Sequence, residues 1–287
     1  MTAATTARGE TPVVVLTIAG SDSGAGAGLQ ADLKTFAALG VYGTCAVTAV
    51  TAQHTAGVLG VSPVAPEMVD LQITAVLGDL PVAAVKTGML ATPATVAAVA
   101  RRAAGGELVN LVVDPVLVAS TGRILLDDGG PAAYVELLIP HARVVTPNLH
   151  EAALLTGTAI TDVASMAEAG RRLLDLGPEV VVVKGGHLGG ETSPDVLVSR
   201  ATAGASTGPG PVVTVLDACR VPTGNDHGTG CTLSAAITAA LAAGVEPGAA
   251  VRQAKDYVRG AIRGAAGWTL GAGRGPLDHF GWGPLPG

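Results

Sequence analysis

Val180-Val181-Val182-Val183-Lys184-Gly185-Gly186-His187 is the stretch that decides the fold class. Four β-branched residues in succession favour an extended strand, and they show no alternation of apolar and polar positions. Such a strand is apolar on both faces, as in a mostly parallel sheet covered by helices above and below. Working outward, similar strands are predicted at 13–18, 43–50, 82–86, 109–113, 144–146 and 212–216. Between them, Ala- and Leu-rich segments predict helices over 29–39, 66–77, 93–103, 148–155, 165–176, 228–243 and 247–265. This alternation predicts one α/β domain of three αβα layers, with ligands bound outside the carboxyl ends of the strands. Residues 1–11 are small and polar and read as a frayed terminus, leaving 12–287 as the domain. The stretch 204–211 (GASTGPGP) reads as an insertion or a hairpin connection, not a domain boundary.

Composition narrows the classes. Aromatics make up only 2% of the 287 residues, too few for base-stacking platforms, so Val, Leu, Ile and Ala must fill the core. A net charge of −6 disfavours a nucleic-acid or anionic-membrane surface. The apolar run near the N-terminus is too short to span a bilayer and lacks the flanks of a secretory signal. Three cysteines, Cys45, Cys219 and Cys231, cannot all pair and show no CxxC spacing, which argues against a disulfide scaffold or a zinc site. The chain reads as a cytoplasmic protein.

Two glycine-rich turns stand out. Gly24-Ala25-Gly26-Ala27-Gly28 lies between a strand and a helix, but Leu29 occupies the third glycine position of a dinucleotide fingerprint begun at Gly24. Begun at Gly26, the fingerprint lacks the acidic residue that would bind ribose, and no P-loop run exists. Gly228-Thr229-Gly230-Cys231 follows a turn, 222–227, and opens a long apolar helix. The first N–H groups of a helix have no intrahelical partner and carry partial positive charge, so this turn suits a phosphoryl group. Cys231 is expected to gain thiolate character there. A plain glycine turn with a packed cysteine fits the stretch equally well.

Three further pieces carry polar groups to predicted strand or helix ends. Asn148 and Glu151 lie three apart on one helical face, where a carboxylate can hold hydrated Mg2+ or simply favour the helix N-terminus. Asp114, before Pro115, is either a catalytic acid or a turn former. Lys184, before two glycines, either reaches a phosphate or points into solvent.

In order, these pieces resemble the ribokinase superfamily, and within it the hydroxymethylpyrimidine/phosphomethylpyrimidine kinases of thiamine biosynthesis. The resemblance runs from about Val13 to Phe280. It is carried by 19–35 (AGSDSGAGAGLQADLKT), 48–53 (TAVTAQ), 86–90 (KTGML), 114–116 (DPV), 146–151, 184–187 (KGGH), 227–232 (HGTGCT) and the tail Gly275-Pro276 with His279-Phe280. It implies a ribokinase-like fold, ATP as phosphoryl donor, Mg2+, a pyrimidine substrate and a homodimer. By the same resemblance Gln53 reads the aminopyrimidine edge. Gly20, Asp32, Met89 and Val116 complete the pyrimidine pocket, with Asp32 near the hydroxymethyl end. Gly228, Thr229, Gly230 and Cys231 form the anion hole, with Cys231 in the place of the usual aspartate base, acting as a late proton acceptor. Asp114 and Glu151 position Mg2+ through water. Asn148 and Lys184 face the nucleotide phosphates, with Thr223 and Gly224 beside them.

Two positions depart from the family pattern: His54 stands where Asn is common, and Asp226 where Thr often precedes the His-Gly-Thr-Gly-Cys run. His54 borders Gln53 and bears on selectivity toward pyridoxal-like acceptors, since a pyridoxal or pyridoxine kinase is the nearest competing reading. A non-catalytic ligand-binding protein of kinase ancestry and a nicotinamide oxidoreductase are the others. The intact Glu151, Lys184 and Gly228–Cys231 set disfavours the first, and the poor fingerprint disfavours the second.

Overall fold

A computed structural model describes residues 11–117, 129–200 and 210–282. Their strands are β1 (Val14–Asp22), β2 (Tyr42–His54), β3 (Gly57–Pro63), β4 (Val82–Thr87), β5 (Val112–Val113), β6 (Val144–Val145), β7 (Val180–Lys184), β8 (Asp195–Ser199) and β9 (Val212–Leu216). They form one sheet in the order β3-β2-β1-β4-β5-β6-β7-β8-β9. The six strands from β2 to β7 in that order are parallel to their neighbours. Antiparallel hairpins close both edges, β2 with β3 and β7 with β8 and β9.

The helices are α1 (Gly28–Ala38), α2 (Pro66–Asp79), α3 (Pro93–Ala104), the short α4 (Gly130–Ala133), α5 (Leu149–Thr156), α6 (Val163–Asp175), α7 (Thr229–Ala242) and α8 (Pro247–Ala265). The valine run shows why both faces must be apolar. Val181 and Val183 enter the core with α2, α3, α5 and α6, whereas Val180 and Val182 enter the opposite core with α7 and α8. A smaller cluster joins Phe36 of α1 to Val15, Ala84, Ala235 and Ala239 on that second face. The sheet is thus buried between two helical layers, as a parallel sheet requires.

Several elements differ from expectation. The strand expected at 109–113 shortens to Val112–Val113, because Asn110 turns at φ +50°. Its amide there donates to Ala83 O at 2.8 Å and accepts from Arg143 Nη1 at 2.8 Å. The edge strand β3 and the strand β8 were not expected, nor was α4 with its continuation through a π-type turn (Tyr134–Leu138) and a 3-10 turn (Ile139–His141). Ser199 pairs with Val212, so the chain enters and leaves the 204–211 stretch as a hairpin; most of that stretch lies outside the described residues. The same holds for residues 1–10 of the expected frayed terminus.

The strand order reverses direction between β1 and β4, which opens a crevice at the carboxyl ends of the strands. Asp22 ends β1, Thr87 ends β4 and Lys184 ends β7. Asp114 follows β5, and Asn148 bridges to Lys184 beyond β6. The N-terminus of α7 lines this rim, together with residues of α5 and α8.

Candidate active site

The carboxyl ends of the strands and the start of α7 line a cavity of about 1050 Å³. Of the expected residues, Gly20, Gln53, Met89, Val116, Asp114, Asn148, Glu151, Lys184, Thr223 and the Gly228–Cys231 turn all face it. Gly224 is exposed and lies off the lining.

Asp32 requires a correction. It is fully buried and does not line the cavity. Both its oxygens lie 2.8 Å from Lys86 Nζ, and Thr17 Oγ1 donates to Oδ2 at 2.7 Å. Burial opposes the charge on Lys86, but Asp32 overcomes it and raises that pKa. Lys86 is also a lining residue, so the ion pair forms part of the cavity floor with Asp32 behind it. An unpaired charge at either position would cost several kcal/mol, which makes the pair a structural base.

A second charged cluster lines the same cavity. Lys184 Nζ donates to Asp114 Oδ1 at 2.8 Å and stands 4.0 Å from Glu151 Oε2. Asp114 also accepts from Thr146 Oγ1 and from Ser234 Oγ, each at 3.1 Å. Burial works against ionised Asp114, but Lys184 and Lys86 outweigh it and hold its pKa below the ordinary value. Glu151 is pushed up to about 7, by burial first, with Lys184 opposing and Asp114 adding repulsion. Asn148 and Glu151 form a reciprocal capping box: Asn148 Oδ1 accepts from Glu151 N at 2.9 Å, and Glu151 Oε2 accepts from Asn148 N at 2.7 Å. The ordinary helix-start chemistry is therefore present, on a carboxylate that also faces the cavity.

Gly228, the N-cap of α7, adopts φ +87°, and a Cβ there would stand 1.9 Å from Gly26 O. The two glycine turns are thus one unit: the Gly24–Gly28 loop is the surface on which the Gly228 turn rests. No side chain caps α7, and its first turn carries no acidic residue, so its N-terminal field is aimed at the cavity. Thr229 Oγ1 donates to Asp226 O at 2.6 Å, which ties its hydroxyl to the turn.

The expectation of a thiolate at Cys231 fails. Burial pushes its thiol up to about 11, with Asp32 and Asp114 adding to the rise, while Lys86 and the Gly28 N–H pull against it. Burial outweighs Lys86 and the Gly28 N–H, which favours the neutral thiol at physiological pH.

Sequence reasoning assigned no role to Asp22 and His227. His227 Nε2 lies 3.0 Å from Asp22 Oδ2 and 3.2 Å from Gln53 Nε2, so it joins the two glycine turns to the expected ring reader. Both residues stand in quoted motifs, and their position next to glycines was the available signal. Arg220 was also missed: it donates to the carbonyls of Gly186, Gly189, Gly190 and Thr192 and so holds the loop after Lys184.

A family model described as phosphomethylpyrimidine kinase matches residues 22–278, which include every polar lining residue described above. The chain belongs to the phosphomethylpyrimidine kinase family. A hydroxymethylpyrimidine/phosphomethylpyrimidine kinase of Rhizobium meliloti is 50% identical, over 93% of this chain and 97% of the relative. Among solved structures, the phosphomethylpyrimidine kinase of Clostridium difficile 630 is 40% identical with a TM-score of 0.74, covering 86% of this chain and 98% of the other. A pyridoxal kinase of Staphylococcus aureus in complex with ADP is 35% identical with a TM-score of 0.84, covering 96% of each chain. As a member of the phosphomethylpyrimidine kinase family this chain is a phosphotransferase of ribokinase-like fold. No described helix is long and apolar enough to cross a membrane.

Proposed function

We propose that this kinase transfers the γ-phosphoryl group of ATP to the hydroxymethyl oxygen of 4-amino-5-hydroxymethyl-2-methylpyrimidine, and then phosphorylates the monophosphate to the diphosphate, in thiamine diphosphate biosynthesis. One observation carries this reading: the paired Lys184–Asp114–Glu151 cluster faces the uncapped start of α7 across a cavity that also holds Gln53. A loose phosphoryl transition state asks for positioning and charge stabilisation rather than a strong base.

In the first transfer the hydroxymethyl oxygen bonds to the γ-phosphorus while the bond to the β,γ-bridging oxygen breaks, and ADP leaves. The Gly228–Cys231 backbone receives the transferring oxygens, and Lys184 neutralises charge on the donor side. Cys231, held largely as a neutral thiol by burial, lines the hole rather than driving the reaction as a strong base. The hydroxyl proton passes to a non-bridging oxygen of the transferred group as the new bond forms. Asn148 and Thr223 face the nucleotide, and Gln53 with Gly20, Met89 and Val116 holds the ring.

The donor set fits Mg2+ held through water. Asp114 and Glu151 are two carboxylates on one wall, and no group of three or more ligating side chains occurs among the described residues. That pattern matches an ion that keeps most of its waters. When bound, Mg2+ supplies charge neutralisation on the β- and γ-phosphate oxygens. Family resemblance further implies a cytoplasmic homodimer, for which exposed Val50, Leu59, Met68 and Leu71 offer apolar surface.

The deciding experiment measures ADP release with the hydroxymethylpyrimidine and with its monophosphate, each with and without Mg2+. Metal-dependent turnover of both is expected. Turnover of pyridoxine alone would replace this reading by a pyridoxal kinase.

A further inference from the structure

The two partners of His227 Nε2 leave one arrangement of the Gln53 amide. A carboxylate only accepts, so His227 Nε2, 3.0 Å from Asp22 Oδ2, must carry its hydrogen toward Asp22. That nitrogen then cannot also accept from an amide NH2 at 3.2 Å. The opposite tautomer would set a lone pair against the carboxylate, and the imidazolium would still present N–H to the amide. Thr51 gives the same answer from the other side. Its hydroxyl has one hydrogen and lies 2.9 Å from Ser21 O but 3.4 Å from the amide position filled by Gln53 Oε1, the reverse of the order these partners favour. The hydrogen goes to Ser21, and the oxygen is left as an acceptor facing the amide. Amide oxygen and nitrogen are nearly the same size, so the partners decide their order.

Asp22 is well placed to impose this. Its oxygens accept from Gly24 N at 2.8 Å and Ala27 N at 2.9 Å, which orient the carboxylate from the glycine loop. Burial opposes its ionisation, but His227 and the two N–H groups prevail and hold its pKa below the ordinary value. Gly26 lets the His227 ring lie close, since a Cβ there would meet His227 Cδ2 at 2.5 Å.

We propose that Asp22, acting through His227, fixes the Gln53 amide with its oxygen toward His227 and its NH2 toward Thr51, and so sets the donor–acceptor order offered to the ring of the acceptor substrate. Asp22 and His227 are positioning residues for specificity. The inference rests on the reading of Gln53 as the ring-edge contact. An aminopyrimidine edge and the corresponding oxopyrimidine edge present opposite donor–acceptor orders, so a locked amide accepts one and opposes the other. A free amide rotates to suit either.

The test has two arms on the full chain. In the first, 15N NMR of imidazole-labelled protein, with His227 assigned by its loss in His227→Phe, reads the proton on Nε2. A protonated Nε2 supports the proposal, and the Nδ1–H tautomer overturns it whatever the substrate proves to be. In the second, kcat/KM is measured for the 4-amino acceptor and its 4-oxo analogue in wild type, Asp22→Ala and His227→Phe. The amino-to-oxo ratio is expected to fall about tenfold or more in both variants. A parallel loss with the ratio unchanged in His227→Phe would mean a merely structural role and overturn the proposal, even if Asp22→Ala does not fold. Failure of wild type to phosphorylate either pyrimidine would strike the functional reading, while the NMR arm would still judge this one.

Discussion

Gly230 faces Lys184: a Cβ built on Gly230 would stand 3.2 Å from Lys184 Nζ and 3.9 Å from Asp114 Oδ2. The glycine leaves room for the ammonium group, while its own backbone is helical and would accept any residue. Gly230→Ala separates the two roles. Alanine is the better helix former by about 1 kcal/mol, and the lysine end can swing aside, so the melting temperature should hold or rise. Displacing Nζ from Asp114 should lower kcat by about 10- to 100-fold. Thermal unfolding and ADP release on the same preparation check this, and unchanged turnover would refute the placement of Lys184 at the phosphoryl group.

The lysine itself should matter more. Lys184→Met leaves Asp114 without its closest cation and removes charge from the transfer path. A loss of about 100- to 1000-fold in kcat is expected, with a smaller change in acceptor KM. Lys184→Arg should not restore activity, since the guanidinium is larger than the gap beneath Gly230. Steady-state kinetics of the three proteins decides this.

Much of this site was legible because its parts sit at places where local sequence speaks. The valine run at 180–183 announces a strand buried on both faces, and Lys184 with its two glycines announces the strand's end. The start of α7 was readable from Gly228 and Gly230 ahead of an apolar helix. What was not legible depends on partners distant in sequence. Asp32 stands in a well-matched motif, but its pairing with Lys86, 54 residues on, takes it out of the cavity. The glycines at 24–28 read as a ligand loop or a flexible turn, whereas they support the Gly228 turn, a contact no local pattern reports. Cys231 failed for a different reason: helix-start electrostatics are local, but the burial that overrides them is tertiary. The edge strand β3 and the short β8, between β7 and β9, lie next to glycine or proline, where local pattern is weakest.

A thiol held near 11 has consequences for reagents. At pH 8 only about 0.1% of Cys231 is thiolate, against roughly a quarter of an ordinary cysteine. Iodoacetamide should therefore label exposed Cys219 long before Cys231, by peptide mass spectrometry. Cys231→Ser should keep turnover within about tenfold, because a neutral hydroxyl fills the same place in the hole. A loss of a thousandfold or more would show that a thiolate is needed after all.

The tail that follows α8 tethers α7 through a histidine, and this should give the protein an acid sensitivity of its own. His279 is buried, with Nε2 3.0 Å from Thr232 Oγ1, one turn into the helix that starts at the anion hole. Burial first, and Lys34 second, push its pKa down to about 4. An unfolded histidine titrates near 6.5, so between these values the unfolded chain binds a proton that the folded chain refuses. Stability from this group is complete above about 6.5 and is lost as pH falls toward 4, by up to about 3 kcal/mol. Carboxylates titrate in the same window, so the comparison must be with His279→Gln, which keeps a polar group near Thr232 but takes up no proton. Chemical denaturation at pH 7.5, 6, 5 and 4.5 should show wild type losing stability faster than the variant as pH falls. Parallel curves would mean that His279 is accommodated in both charge states and does not couple the tail to acid.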